Sequence, residues 1–179
     1  MIGWLRADLC DTLIWWMKPT KEEGPLEGLC TILRNERIEA EHPAYLHGSQ
    51  ACIAFSETPL IQAARLLLHA REAGINFAPY GIQFNRNQMY ARGARQTIHQ
   101  PADELNLLPD SQRYRHVTFD PEQGIDFTWK REWRLPANTL TLTPDNCHLI
   151  LPDRTALRWL RARLHSPLLE EVLLLEHLL

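Results

Sequence analysis

Lysine is nearly absent: the 179 residues hold 3 Lys against 16 Arg. Net charge is −3, which excludes a chain that is basic overall. Glycine is sparse at 8 residues, and neither a G-x-G-x-x-G turn nor a Walker loop occurs. That removes the Gly-rich phosphate cradles of dinucleotide-binding and P-loop proteins. No G-x-S-x-G elbow is present, so a hydrolase triad has little support. No two of the four cysteines have C-x-x-C spacing, which excludes zinc knuckles and thioredoxin-like pairs. No apolar run approaches the roughly 18 residues of a membrane span. The longest candidate, Leu168 to Leu179, is interrupted by Glu170, Glu171 and Glu176. Arg6, Asp8 and Asp11 break up the N-terminal segment, and no small-residue cleavage site follows, so no secretory signal and no membrane association are expected. A reducing cytoplasm is the expected compartment.

What is present is ordinary for a globular domain: 45% hydrophobic, 8% aromatic and 23% charged residues. The charge is unevenly spread. Residues 1–60 carry 5 basic and 9 acidic groups, residues 61–134 carry 10 and 8, and residues 135–179 carry 4 and 5. The middle third is where an anionic ligand would be drawn. The Arg bias suits planar, bidentate contacts to carboxylate or phosphate, and equally suits GC-rich codon usage. Cys10, Cys30 and Cys52 lie in apolar surroundings and read as small core residues. His42, His47 and Cys52 fall at five-residue intervals, which match neither helix nor strand, so no metal is expected.

Strands are predicted at 12–17, 51–55, 80–84, 96–100 and 131–135, with further ones near 140–142 and 148–151. Helices are predicted from Leu26 toward Asn35, from Leu60 toward Gly74, after Asn85 or Asn87 toward Gly93, and after Asp153, with a final leucine-rich helix beyond Pro167. The irregular order predicts an α+β fold with a mixed or split sheet, not a doubly wound one. One domain should span residues 1–152, with C-terminal helices in 153–179 packed on it.

Several residues carry candidate chemistry. Ser56-Glu57-Thr58-Pro59 reads as a helix N-terminus, where Glu57 favours the dipole. Alternatively its free N–H groups receive an anion, with Ser56 adding a hydroxyl. Strand alternation puts Glu132 on the face of Lys130 and Arg134, opposite Arg131 and Trp133. Glu132 is then either a surface carboxylate between cations or a cleft carboxylate kept ionised by them. Trp15, Trp16, Trp129 and Trp133 are core by default, though a Trp can stack on a base. Arg86, Arg92 and Arg95 surround Tyr90, forming either a solvated face or a phosphate-holding edge with an aromatic platform.

The order of these motifs resembles a known family. The run Leu29-Cys-Thr-Ile-Leu-Arg-Asn-Glu-Arg-Ile38 is followed by Ala51-Cys-Ile-Ala-Phe-Ser-Glu-Thr-Pro-Leu60 and Tyr80-Gly-Ile-Gln-Phe84. Gln96-Thr-Ile-His99 and Trp129-Lys-Arg-Glu-Trp-Arg-Leu-Pro136 come next. Over residues 12–136 this resembles the AbiGi-like abortive phage-resistance proteins. It is distantly similar to the DarT-type ADP-ribosyltransferases. The resemblance implies a split-sheet ADP-ribosyltransferase-like fold with NAD in a cleft between two small sheets. It implies a catalytic late-strand carboxylate at Glu132 and a first-strand motif at Trp15, Trp16, Met17 and Lys18, with Thr20 just downstream. Phe55 and Ser56 fall in the second motif. The implied site therefore has Glu132 and Lys18 as catalytic groups, with Trp16, Thr20, Phe55, Ser56, Arg92 and Arg95 around NAD. The implied target is a single-stranded nucleic acid or a protein, in a phage-defence or toxin–antitoxin setting with a defence-system partner protein. Where the toxins carry a first-strand His, this chain has Lys18. That departure favours the alternative, a catalytically inactive member that binds nucleic acid or a partner protein.

Overall fold

Thr12–Trp16 forms β1, a central strand of the fold. Its β-branched and aromatic residues suit a pleated surface packed on both faces, and Leu13, Ile14 and Trp16 are all buried. The computed structural model describes residues 10–18, 24–69 and 78–178. After β1 come α1 (Pro25–Asn35), β2 (Arg37–Glu39), β3 (Ile53–Ser56), α2 (Leu60–Leu68) and β4 (Gly81–Asn85). Next are α3 (Arg86–Ala91), β5 (Arg95–Gln96), β6 (Ile98–Gln100), α4 (Asp110–Arg113) and β7 (His116–Thr118). The last are β8 (Glu132–Leu135), β9 (Thr139–Thr141), β10 (Cys147–Leu151), α5 (Arg154–Arg161) and β11 (Val172–Leu174). Pro25 opens α1, where its missing N–H costs nothing. Asn85 Oδ1 accepts from Gln88 N at 3.1 Å and starts α3, while Asp153 Oδ1 accepts from Ala156 N at 2.8 Å and starts α5.

Seven strands form one open sheet in the order β11-β10-β4-β1-β3-β8-β5. Neighbours are antiparallel except β10 and β11. Two short ladders, β2 with β9 and β6 with β7, lie outside it. The fold is thus mixed α+β, with a mostly antiparallel open sheet and a few helices. Strand alternation gives the sheet two buried faces. Leu13, Ile82, Phe84 and Leu149 pack with Leu29 and Leu33 of α1 and Leu160 of α5. On the other face Ile14, Trp16 and Ile150 meet Ala63 and Ala64 of α2. Each such large side chain contributes about 1.5–3 kcal/mol by leaving water. No helix among the described residues is long and apolar enough to cross a membrane.

Two expectations need correction. The segment 96–100 is not one strand. Thr97 N–H bonds to Glu132 O at 3.0 Å, and Ile98 N–H bonds to Arg115 O at 2.8 Å. The chain thereby leaves the large sheet and joins β7. The leucine-rich end is not a helix either. Val172–Leu174 pairs with Leu149–Leu151 as β11 and is followed by a 3₁₀ turn. The open edge of β10 supplies hydrogen bonds that outweigh the helix preference of a short Leu run. Residues 153–179 therefore contribute one α-helix and a strand of the main sheet, rather than a pair of helices.

Gly81 faces Trp16 across β4 and β1. A Cβ there would stand 2.9 Å from Trp16 Cε3, 3.1 Å from Ile14 Cγ2 and 3.1 Å from Trp15 O. Gly81→Ala is therefore expected to cost about 1–3 kcal/mol by overpacking. That exceeds the gain of about 0.4–1 kcal/mol from a stiffer unfolded chain. Urea denaturation checks this, and an unchanged midpoint would show that β1 yields freely.

Candidate functional site

The ladder between β1 and β3 consists of a single pair, Ile14↔Ser56. Beyond it the two strands border a cleft of about 800 Å³, open mouth included. Trp16 and Lys18 come to this cleft from β1 and the residues after it. Ser56 comes from β3, Glu132 and Arg134 from β8, and Lys130 from the 3₁₀ turn 128–130. Glu41 and Tyr45 border it from the loop after β2.

Glu132 is held from several sides. Its Oε1 accepts from Arg134 Nε at 2.6 Å. Arg134 is buried, and its Nη1 donates to Tyr114 O at 2.6 Å and to His116 O at 3.1 Å. The carbonyl of Glu132 accepts from Thr97 N at 3.0 Å and Thr97 Oγ1 at 3.1 Å. A carboxylate fixed in this way keeps its aim without reorganising, as electrostatic stabilisation of a developing cation requires. The alternation argument holds for Glu132 and Arg134 against Trp133. It fails for Lys130, which reaches the cleft from a turn: Arg131 has φ 45°, so β8 begins only at Glu132.

The cations around the cleft differ. Burial works against the Lys18 charge, but the hydrogen bond and charge of Glu41, helped by Tyr45, hold its pKa above the usual value. Lys18 Nζ lies 2.8 Å from Glu41 Oε2. Burial pushes the Lys130 pKa down; the Glu132 charge opposes this, and those of Lys18 and Arg134 add to it. Burial also raises the Cys52 thiol to about 11, so this cleft-lining cysteine is not a nucleophile at neutral pH. The four cysteines Cys10, Cys30, Cys52 and Cys147 are all free.

No protein-family model, curated protein or solved structure matches this chain at a significant level.

The structure brings Trp16, Lys18, Phe55, Ser56 and Glu132 to one cleft, but not all in the expected posture. The Phe55 ring lies in the core, edge-on to Phe84 at 5.5 Å, because alternation turns it away from Ser56. It cannot stack on a ligand ring. Ser56 Oγ donates to Lys130 O at 2.7 Å and accepts from Thr58 N at 3.2 Å, fastening β3 to the turn before Glu132. Arg92 and Arg95 stand apart from the cleft. The Arg95 guanidinium lies 4.0 Å over the Tyr90 ring, and its Nη1 donates to Tyr90 O at 2.9 Å and Ala94 O at 2.8 Å. Arg92 caps α3 through its backbone and is exposed. Thr20 lies outside the described residues.

Two residues were missed. Glu57, read as a helix-dipole carboxylate, is 1% exposed. It accepts from Arg86 Nη1 at 2.6 Å, Trp133 Nε1 at 3.0 Å, Gln96 Nε2 at 3.2 Å and Arg131 Nη2 at 3.3 Å. Burial raises its pKa, but these donors outweigh it and hold the carboxyl below its usual range. Its backbone N–H also donates to Arg131 O at 3.0 Å. The second is His99, whose ring is close enough to Glu132 to feel its charge. Burial nevertheless keeps the His99 pKa below the ordinary value, so the ring is neutral at pH 7. No local pattern marks either residue; contacts between distant segments bring their partners, the β3–β8 pairing for Glu57 and the Thr97–Glu132 bond for His99.

Proposed function

We propose that the cleft binds NAD and that the chain is an ADP-ribosyltransferase-like protein of bacterial phage defence or toxin–antitoxin type. It would pass ADP-ribose to a nucleic acid or a protein. The observation that carries this reading is the meeting of Lys18, Trp16, Ser56 and Glu132 at the place where β1 and β3 separate. In the reaction the bond from ribose C1 to the nicotinamide nitrogen breaks, and its electron pair leaves with nicotinamide. Positive charge grows on the ribose, and Glu132, steadied by Arg134, is the carboxylate that meets it. The acceptor nucleophile then bonds to C1 and releases its proton. Lys18 supplies a fixed cation for the anionic part of the substrate.

The test is nicotinamide release from NAD by the purified chain, followed by chromatography. Release above the protein-free rate is expected. Lys18→Ala should weaken NAD binding about tenfold, as loss of a charge-assisted contact does, with a smaller effect on turnover. No release, together with no NAD bound at millimolar concentration, would refute the reading.

A second reading has its own support. Tyr90 is 54% exposed, and the Arg95 guanidinium lies over its ring. Such a platform suits a nucleic-acid-binding module without catalysis. Oligonucleotide binding that weakens steeply with salt, with no nicotinamide release, would favour it.

A further inference from the structure

The cleft has a latch. If the Ile14↔Ser56 register continued, Trp16 would face Ala54 and Lys18 would face Cys52. It does not continue, because the edge of Cys52 is already taken. Glu57 N donates to Arg131 O, toward β8. Hydrogen-bonding sides alternate along a strand, so the N–H of Cys52 points the other way, toward β1. There it donates to Glu41 O at 3.0 Å, and Glu41 N donates back to Cys52 O at 3.1 Å. The main chain of Glu41 thus holds the place that Lys18 would occupy. Lys18 Nζ reaches across to Glu41 Oε2 at 2.8 Å. Glu41 makes both closures, the main-chain pairing with Cys52 and this ion pair with Lys18.

The two closures differ in strength. The Lys18 and Glu41 side chains are 41% and 58% exposed, so water screens the pair and an incoming anion can replace the carboxylate. The other cations are less suited to an anion. Arg134 is committed to Glu132 and two carbonyls, and burial disfavours the Lys130 charge. We propose that Glu41 fills the anion subsite of Lys18 in the free protein, and that the diphosphate of an incoming ligand takes Lys18 from it. Glu41 then sets the affinity of the cleft for diphosphates. This rests on the reading of the cleft as an NAD site.

The experiment is calorimetric binding of ADP-ribose to the wild type, Glu41→Gln, Lys18→Met and the double variant, with adenosine as the uncharged probe. Both side chains are exposed, so thermal melts should confirm intact folds. Glu41→Gln is expected to bind ADP-ribose about fivefold more tightly, the equivalent of releasing an exposed ion pair. Lys18→Met should bind it more weakly. In the double variant the gain should vanish, and adenosine should not distinguish wild type from Glu41→Gln. Equal or weaker ADP-ribose binding by Glu41→Gln, with a wild type that binds, overturns the latch and leaves the NAD reading standing. So does a gain that survives Lys18→Met, because Glu41 would then act by general repulsion. A wild type and variants that all fail to bind ADP-ribose overturn both.

Discussion

Glu132→Gln is expected to slow nicotinamide release by on the order of 10²–10³, while NAD affinity stays within about twofold of wild type. The amide is nearly isosteric and keeps an oxygen that can accept from Arg134 Nε, now 2.6 Å from the carboxylate. The backbone of Glu132 stays fixed by Thr97, and Trp133 packs on the opposite face of β8. The substitution therefore removes charge and little else. In bound NAD the positive charge is spread over the nicotinamide ring, so ground-state binding loses less than the transition state does. There positive charge has grown on ribose C1. Single-turnover measurements with saturating NAD separate the two effects. A turnover unchanged in Glu132→Gln would show that Glu132 is a surface carboxylate neutralised by Arg134. A parallel loss of affinity and rate would mean that the amide disturbed the cleft itself.

The parts of this fold that were legible in the sequence are those decided by neighbours along the chain. Thr12–Trp16 is β-branched and aromatic and could hardly be anything but a strand. Asn85 and Asp153 announce α3 and α5 through their side-chain caps. Alternation alone put Glu132 and Trp133 on opposite faces. What was not legible depends on pairing between distant segments. Val172–Leu174 has no strand signal that a short helix lacks; only the free edge of β10 decides it. Thr97 breaks its strand because two different acceptors, Glu132 O and Arg115 O, draw successive N–H groups. The cleft is bordered by one bridge, Glu41↔Cys52, between residues that no local pattern joins. Lys18 and Glu132 were each singled out from the chain, but their meeting depends on contacts between distant segments such as the β3–β8 register. Gly93, with φ 104°, makes the turn after α3. It did not reveal that Arg95 would be fastened to Tyr90 instead of standing free.

Glu57→Ala should be among the most damaging single changes in the chain, lowering stability by about 3–5 kcal/mol, the usual cost of breaking a buried ion pair from one side. Arg86 is buried and would lose the buried one of its two carboxylate partners among the described residues, keeping Asp11 Oδ1 at 2.8 Å, on a side chain that is 74% exposed. Trp133 Nε1 and Gln96 Nε2 would lose their acceptor. For a chain of this length the melting temperature should fall by about 10 °C or more. Replacing both partners, Glu57→Leu with Arg86→Met, should cost less than the sum of the single changes, because no buried charge is then stranded. The pH dependence follows from the same contacts. The folded-state pKa of Glu57 is held below its ordinary value. Between the folded and unfolded values the unfolded chain binds more protons, so stability rises with pH there. The contribution is complete above the unfolded value of about 4.3 and is lost as pH falls through the folded one. Wild type should therefore lose stability faster than Glu57→Gln below about pH 4.3, and the two curves should draw together in acid. Chemical denaturation at a series of pH values measures this. The damage also reaches the cleft, because the Glu57 carboxylate holds the guanidinium of Arg131, the residue just before Glu132. A Glu57→Ala protein that melts within about 2 °C of wild type, a change of less than about 1 kcal/mol, would show that Arg86 is satisfied without Glu57. The buried carboxylate would then hold neither the core nor the turn that aims Glu132.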